Sequence, residues 1–222
     1  MTDFSNVKAV FFDFDDTLGN REEYAYDTWY EILKENSHVD DAVEFEAIIQ
    51  DVMIWDEHGN IYKDHIKEML EKKYNIVLPY DNLTEYWNSV LWKKSEAFND
   101  TLKTLTVLKD DYKLGIITNG PSDGQRNKIK QAGLLDYFKE ENIIVSGDYG
   151  FHKPDTRLFM EASKKVNEDI HECVYVGDIF ANDVLGAYRS GMKPIWMWSH
   201  GHRKCSVDIT RIKKISDLLE IL

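Results

Sequence analysis

Two aspartates two residues apart, Asp13 and Asp15, follow directly on the apolar run Ala9-Val10-Phe11-Phe12, and Thr17, Leu18 and Gly19 close the stretch. Such a run reads as a short buried parallel strand. The acids then sit at its carboxyl end, where open α/β sheets bind ligands. Two carboxylates aimed at one point repel each other unless a cation lies between them. A hard divalent cation such as Mg2+ suits oxygen donors and takes only one or two carboxylates, leaving room for waters and phosphate oxygens. A carboxylate beside such a cation can also attack phosphorus and form an acyl phosphate. An acidic turn at a strand end would look the same in isolation, so the rest of the chain decides.

Three later stretches repeat the arrangement of an apolar run followed by polar groups. In Ile116-Ile117-Thr118-Asn119-Gly120 a hydroxyl and exposed backbone amides can donate to phosphate oxygens. An ordinary strand-to-helix turn uses the same residues. In Gly150-Phe151-His152-Lys153-Pro154-Asp155 the proline biases Lys153 to an extended backbone, and a helix starts just after. A fixed ammonium there could balance Asp13 and phosphoryl oxygens, although a lone loop lysine is usually solvated. In Val176-Gly177-Asp178-Ile179-Phe180-Ala181-Asn182-Asp183 the glycine allows close backbone approach, and Asp178 is placed to complete a metal site from a neighbouring strand. Asp183, with Asn182, either stands behind that site, holding metal waters or Lys153, or serves the next helix as an acid at its N-terminus and an N-cap.

The elements that must position these groups follow from periodicity. After Gly19 the spacing becomes helical as far as about Phe98. Ala25, Trp29, Ile32 and Leu33 form one stripe, Phe45, Ile48, Ile49 and Val52 a second, Ile66, Met69 and Leu70 a third, and Trp87, Val90 and Leu91 a fourth. Breaks fall near Asn36–Asp41, Asp56–Asn60 and Leu78–Asn82. From Thr101 strands and helices alternate. Strands are expected at 113–118, 142–146, 172–177 and 193–198, and helices around 102–108, 123–131, 155–166 and 182–190. A last helix is expected over Asp217–Leu222, N-capped by Ser216. The order implies an α/β fold: a doubly wound, mainly parallel Rossmann-like sheet of at least five strands. An inserted α-helical domain, 20–98, divides a core made of 1–19 and 99–222.

Composition narrows the partners. The 222 residues carry 27 Lys or Arg against 40 Asp or Glu, a net charge of −13. That balance argues against a nucleic-acid polymer or an anionic membrane, since phosphate backbones need a basic footprint. Within 20–99 the count is eight Lys or Arg against eighteen Asp or Glu, and thirteen of the 28 aromatic residues lie there. There are two cysteines, Cys173 and Cys205, and no Cys-x-x-Cys pattern. Cys173, in an apolar run, is expected in the core. No apolar run approaches the length of a membrane span. A cytoplasmic protein is expected.

The stretch from Val10 to Gly19 resembles the first motif of the haloacid dehalogenase-like hydrolases, a large family composed mostly of phosphatases. Thr118 stands where that family's second motif has the Ser or Thr that binds the transferring phosphoryl group. Gly150-x-x-Lys153-Pro154 resembles the third motif, and Gly177-Asp178 with Asp183 resembles the fourth. The insert resembles the family's C1-type cap. Two further stretches, Ile117-Thr118-Asn119-Gly120 and Gln125-x-x-Lys128-Ile129-x-x-x-Gly133-Leu134-x-x-Tyr137-Phe138, resemble the branch containing pyrimidine 5′-nucleotidases and N-acylneuraminate-9-phosphatases. The resemblance implies Mg2+ held by Asp13, the main-chain carbonyl of Asp15, and Asp178. It implies Asp13 as nucleophile and Asp15 as acid and then base. Thr118, Asn119 and Lys153 would hold the phosphoryl oxygens. The expected activity is hydrolysis of a small phosphomonoester, either a nucleoside monophosphate or a sugar phosphate, with the cap selecting the leaving group.

Rival chemistries are separable. Dehalogenases of the family lack the second aspartate, so Asp15 argues against them. A phosphomutase or other phosphotransferase of the family differs only weakly, at Thr17. A phospho-accepting switch gathers similar residues, but it is about half as long and has no helical insert. His152 either approaches the leaving group or is a solvated loop residue. His200 and His202 form either a metal pair or part of a loop after the last strand. The oligomeric state has no sequence signature here.

Overall fold

The computed structural model describes residues 2–198 and 204–222; His200 and His202 lie outside the described residues. In chain order the main elements are β1 (Ala9–Phe12), α1 (Arg21–Asn36), α2 (Ala42–Asp56), α3 (Lys63–Tyr74), α4 (Leu83–Val90), α5 (Thr101–Asp111), β2 (Lys113–Thr118), α6 (Ser122–Gln131), β3 (Ile143–Val145), α7 (Thr156–Val166), β4 (Cys173–Gly177), α8 (Leu185–Ser190), β5 (Lys193–Met197) and β6 (Arg211–Ile212). The chain divides into two compact units, residues 1–20 with 96–222, and residues 21–95.

The first unit is built on one sheet of order β3-β2-β1-β4-β5-β6. Every neighbouring pair is parallel. All four residues of β1 are fully buried, as a central strand covered on both faces requires. Successive side chains point to opposite faces. Phe11 joins a core with Ile117, Tyr175, Leu158, Phe159 and Ala162, while Phe12 meets Phe138 edge-on at 6.3 Å between ring centroids. Cys173 packs in the same core as Phe11.

After β3 the chain crosses back and builds β4, β5 and β6 on the other side of β1. The strand order therefore reverses at β1, and the crevice for ligands opens there. Register makes the placement specific. Phe12 is level with Ile116 on β2 and Val176 on β4, and the Asp13 N–H donates to the Val176 carbonyl at 2.9 Å. Asp13, Gly177 and Asp178 thus arrive together at one end of the sheet.

Two sequence expectations are corrected, and the sheet extends past the five strands expected as a minimum. A sixth strand, β6, is present; at two residues it is too short to carry a period. The expected helix from Asn182 starts instead as a π turn over Phe180–Val184, with Ile179 at the capping position. Asn182 therefore lies inside the turn and is not the N-cap. The last element is a 3₁₀ helix, Ile215–Glu220, with Lys214 at its N-cap position and not Ser216. Asp217 accepts there from the backbone N–H groups of Lys213 and Lys214, a local hydrogen-bonding option that competes with regular helix.

The second unit is helical. The Asp41 carboxylate caps α2 by accepting from Val43 and Glu44 N–H, and the Asn82 side chain caps α4 by accepting from Glu85 N–H. Tyr24, Ala25, Trp29, Ile32 and Leu33 on α1 are buried, as are Ile48, Ile49 and Val52 on α2, Ile66 and Leu70 on α3, and Leu83 and Trp87 on α4. The Trp29 and Trp87 rings lie 4.7 Å apart. Met69, expected on the inner stripe of α3, is 37% exposed.

This helical core encloses charge. Asp56, at the end of α2, is fully buried. Arg21 reaches its carboxylate at 2.6 Å, and Lys63 pairs with its other oxygen. Lys63 also donates to the Ile61 carbonyl and stands over the Trp87 ring. Burial pushes the Asp56 pKa up, but Arg21 and Lys63 outweigh it and leave the pKa lowered. Removing one partner of a buried ion cluster strands the others without countercharge, at about 3–5 kcal/mol. Asp56→Asn should therefore lose about that much stability at pH 7 in urea unfolding. The folded-state pKa is depressed, so the carboxylate's contribution is complete at neutral pH and fades as pH falls below about 4. The wild-type advantage over Asp56→Asn should shrink in that window; an equal gap at pH 3 and pH 7 would contradict the ion-pair account.

Candidate active site

Four loops at one end of the sheet converge. Asp13, 6% exposed, follows β1. Its Oδ1 lies 2.8 Å from the Lys153 ammonium, which is also 2.8 Å from Asp183 Oδ1. Lys153 is itself 5% exposed. Burial pushes the Asp13 pKa up against the pull of Lys153, with Asp183 and Asp15 adding to the rise, to about 7. Burial works the other way on Lys153, but Asp13 and Asp183 more than offset it, and its pKa is raised.

Asp183 is fixed from two sides. Its Oδ2 accepts from the N–H of Ile179, the capping residue of the π turn, at 2.8 Å, and its Oδ1 takes Lys153. The turn folds back over β4 because Gly177 has no side chain. A Cβ there would lie 2.4 Å from the Asp183 carboxyl carbon. π turns of this kind are frequent at functional sites.

Asp13, Asp178 and Asp183 each offer a carboxylate oxygen within 4.8 Å of the others. Asp178 Oδ1 is buried with no hydrogen-bond partner among the described residues. Burial, then Asp183, Asp13 and Asp16, raise the Asp178 pKa well above the carboxylate range. Hard oxygen donors, crowded negative charge and an unsatisfied buried oxygen fit a divalent cation.

Thr118, at the end of β2, is buried. Asn119, expected at the phosphate, is turned to the third loop: its Oδ1 accepts from the Lys153 N–H at 2.9 Å and its Nδ2 donates to the Lys153 carbonyl at 3.3 Å. Both ends of the Asn119 side-chain amide thus engage the Lys153 backbone. The Asp15 carboxylate lies outside the carboxylate cluster. It accepts from Lys128 Nζ at 2.9 and 2.8 Å and from Gln125 Nε2 at 3.0 Å. Asn182 lies inside the π turn, where its carbonyl accepts from the Leu185 N–H. His152 Nδ1 bonds the buried Ser146 hydroxyl at 2.9 Å, which also accepts from Gly120 N–H.

Sequence reasoning missed Lys128, Gln125, Ser146 and Tyr175. Gln125 and Lys128 were visible as a spaced pair, three apart and so on one helix face; both are buried on α6. Gly120 makes room for this contact, since a Cβ there would lie 2.6 Å from Gln125 Nε2. Ser146 and Tyr175 carried no signal beyond their apolar neighbours.

The family of haloacid dehalogenase-like hydrolases matches residues 10–197. The chain belongs to that family. A glyceraldehyde 3-phosphate phosphatase from Methanothermobacter thermautotrophicus is 30% identical over 97% of this chain and 100% of its own length. N-acylneuraminate-9-phosphatase from Homo sapiens is 25% identical over 89% of this chain and 85% of its own. The solved structure of a phosphatase of the family from Thermococcus onnurineus superposes with a TM-score of 0.65 and 30% identity over 97% of both chains. Within the family this chain is a phosphatase. The branch expected from the second-motif and Gln125–Phe138 stretches is among its relatives, and the glyceraldehyde 3-phosphate phosphatases stand beside it.

A bound cation that relieves the carboxylate repulsion must stabilise the folded state. At a hundredfold excess over its dissociation constant it adds about 2.7 kcal/mol, or about 5 °C or more in Tm. Titrating Mg2+ into chelator-treated protein should show that rise, and Asp178→Asn should abolish most of it. A Tm indifferent to millimolar Mg2+ would mean that the cluster holds no cation.

Proposed function

We propose that this chain is a Mg2+-dependent phosphomonoester hydrolase that works through an aspartyl-phosphate on Asp13. The observation that carries the reading is the buried Asp13 carboxylate, clamped by Lys153 and grouped with Asp178 and Asp183, with Asp15 two residues away. Asp13 attacks phosphorus in line, and the bond from phosphorus to the leaving oxygen breaks. Asp15 gives that oxygen its proton. Asp15 then takes a proton from water, which attacks the phosphorus of the acyl phosphate and frees both Asp13 and inorganic phosphate. Asp13, Asp178 and the Asp15 carbonyl would hold Mg2+, whose charge offsets that of the phosphoryl oxygens. Thr118 donates to those oxygens, while Lys153 fixes the attacking carboxylate. Asp15 starts from its contacts with Lys128 and Gln125 and turns from there to the leaving oxygen.

The substrate is a small phosphorylated metabolite, and the full-length likeness to a glyceraldehyde 3-phosphate phosphatase favours a short sugar phosphate over a nucleotide. The helical unit supplies the leaving-group selection, because the core groups engage only the phosphoryl group common to all phosphomonoesters. Its excess of acidic residues disfavours a second phosphate. Under saturating Mg2+, glyceraldehyde 3-phosphate should be hydrolysed faster than a nucleoside monophosphate, and a nucleoside triphosphate slowest of the three. A triphosphate turned over fastest would refute the charge argument.

Two substitutions separate the steps. Asp13→Asn should remove turnover by a factor of about 10⁴ or more while leaving the protein folded, since it deletes the nucleophile from a nearly unchanged shape. Asp15→Asn should still be phosphorylated slowly by esters with good leaving groups and then stall, because no base activates water. Mass spectrometry of quenched Asp15→Asn should find the adduct on Asp13. An adduct on any other residue would sink the mechanism.

A further inference from the structure

A lysine ammonium has three N–H donors and no acceptor. Around Lys153 Nζ there are three oxygens at 2.8 Å: Asp13 Oδ1, Asp183 Oδ1 and the Tyr175 hydroxyl. The first two carry charge and explain themselves. The third belongs to a neutral residue in the middle of β4, and it completes the set.

Tyr175 is 1% exposed, and its ring packs edge-on against Phe159 at 5.0 Å. A phenylalanine would fill that part of the core equally well. The hydroxyl must therefore be understood through its partners, because burying it without them is costly. It has one hydrogen and two acceptors in reach, the Ile117 carbonyl at 2.7 Å and Asp183 Oδ1 at 3.2 Å. The nearer carbonyl takes the hydrogen, leaving a lone pair for Lys153. Ile117 directly precedes Thr118 at the end of β2, so the hydroxyl is anchored to the strand that presents the second loop.

We propose that Tyr175 is a positioning residue for Lys153: its hydroxyl, anchored on the Ile117 carbonyl, takes the third ammonium N–H and so keeps the other two on Asp13 and Asp183. The proposal rests on the reading of Asp13 as nucleophile. Without the hydroxyl one N–H is unsatisfied in a buried site. The ammonium then tilts toward water or toward one carboxylate, and Asp13 loses its fixed bearing. Small misplacements of a reacting group cost rate out of proportion to their size.

Tyr175→Phe removes one oxygen and keeps the ring. With p-nitrophenyl phosphate and saturating Mg2+, kcat should fall about tenfold, with KM changed less than twofold and Tm within a few degrees of wild type. The second measurement does not depend on turnover. In 1H–15N spectra of the lysine ammonium groups, Lys153 should give a signal protected from water exchange, assigned by its loss in Lys153→Arg. Tyr175→Phe should shift that signal or broaden it by exchange. An unchanged kcat per folded molecule, or an unchanged ammonium signal, overturns the proposal, and a lower Tm with full kcat does the same. If wild type releases no phosphate from any ester, the reading of Asp13 fails, while the spectra still decide the role of Tyr175. If Tyr175→Phe does not fold, the wild-type spectrum decides: a protected Lys153 ammonium supports the clamp, and a rapidly exchanging one overturns it.

Discussion

The ion cluster of Lys153 with Asp13 and Asp183 is the constraint on which the first unit depends. Charges this deeply buried are tolerated only when they are paired and their remaining hydrogen-bonding capacity is met. Meeting it draws on four loops at once. Asn119 on the second loop clasps the Lys153 backbone. The π turn after β4 delivers Asp183 and pins it on the Ile179 N–H. Gly177 leaves the space in which that carboxylate sits. The loops are thus tied to one another through the Lys153 ammonium and backbone.

The sheet makes such convergence possible. All neighbouring strands are parallel, so every carboxyl end faces the same way. Because the order reverses at β1, that strand has β2 on one side and β4 on the other. A crevice at such a switch point is a property of winding, independent of the chemistry lodged in it. The chemistry here is a set of three carboxylates, two of them paired with the Lys153 ammonium. That residual negative charge makes a hard cation the natural complement.

The two units handle buried charge in mirror fashion. In the first, one lysine lies between two aspartates. In the second, one aspartate lies between Arg21 and Lys63. Arg21 is the first residue of α1, immediately past the pairing of Asn20 with Glu96 and of Leu18 with Phe98 that closes the first unit. An ion cluster at that point specifies how the helices begin, which apolar packing alone, being non-directional, does not. Asp15 contrasts with both clusters: its carboxylate is partly exposed and is met from α6 by Lys128 and Gln125, which suits the movement proposed for it.

The sequence by itself determined the class of fold, five of the six strands, the helical insert, and the residues Asp13, Asp15, Thr118, Lys153, Asp178 and Asp183 as those worth assembling. This was possible because the signals are local: an apolar run ending in an acid, a Gly before an Asp, a proline after a lysine. Tertiary structure alone decided the partners. The Asn119 side chain meets the Lys153 backbone because that backbone, 34 residues away, offers a donor and an acceptor at amide spacing. Asn182 is no cap because its turn widens into a π turn that serves Asp183. Lys128 and Gln125 were a pattern without a role until α6 was laid beside the first loop, 110 or more residues from Asp15 in sequence. Tyr175 is indistinguishable in sequence from any aromatic residue of a buried strand. Its meaning lies in one hydroxyl oxygen among groups on β2, the third loop and the π turn. Periodicity records which face a side chain occupies; only the folded chain records which atoms it meets.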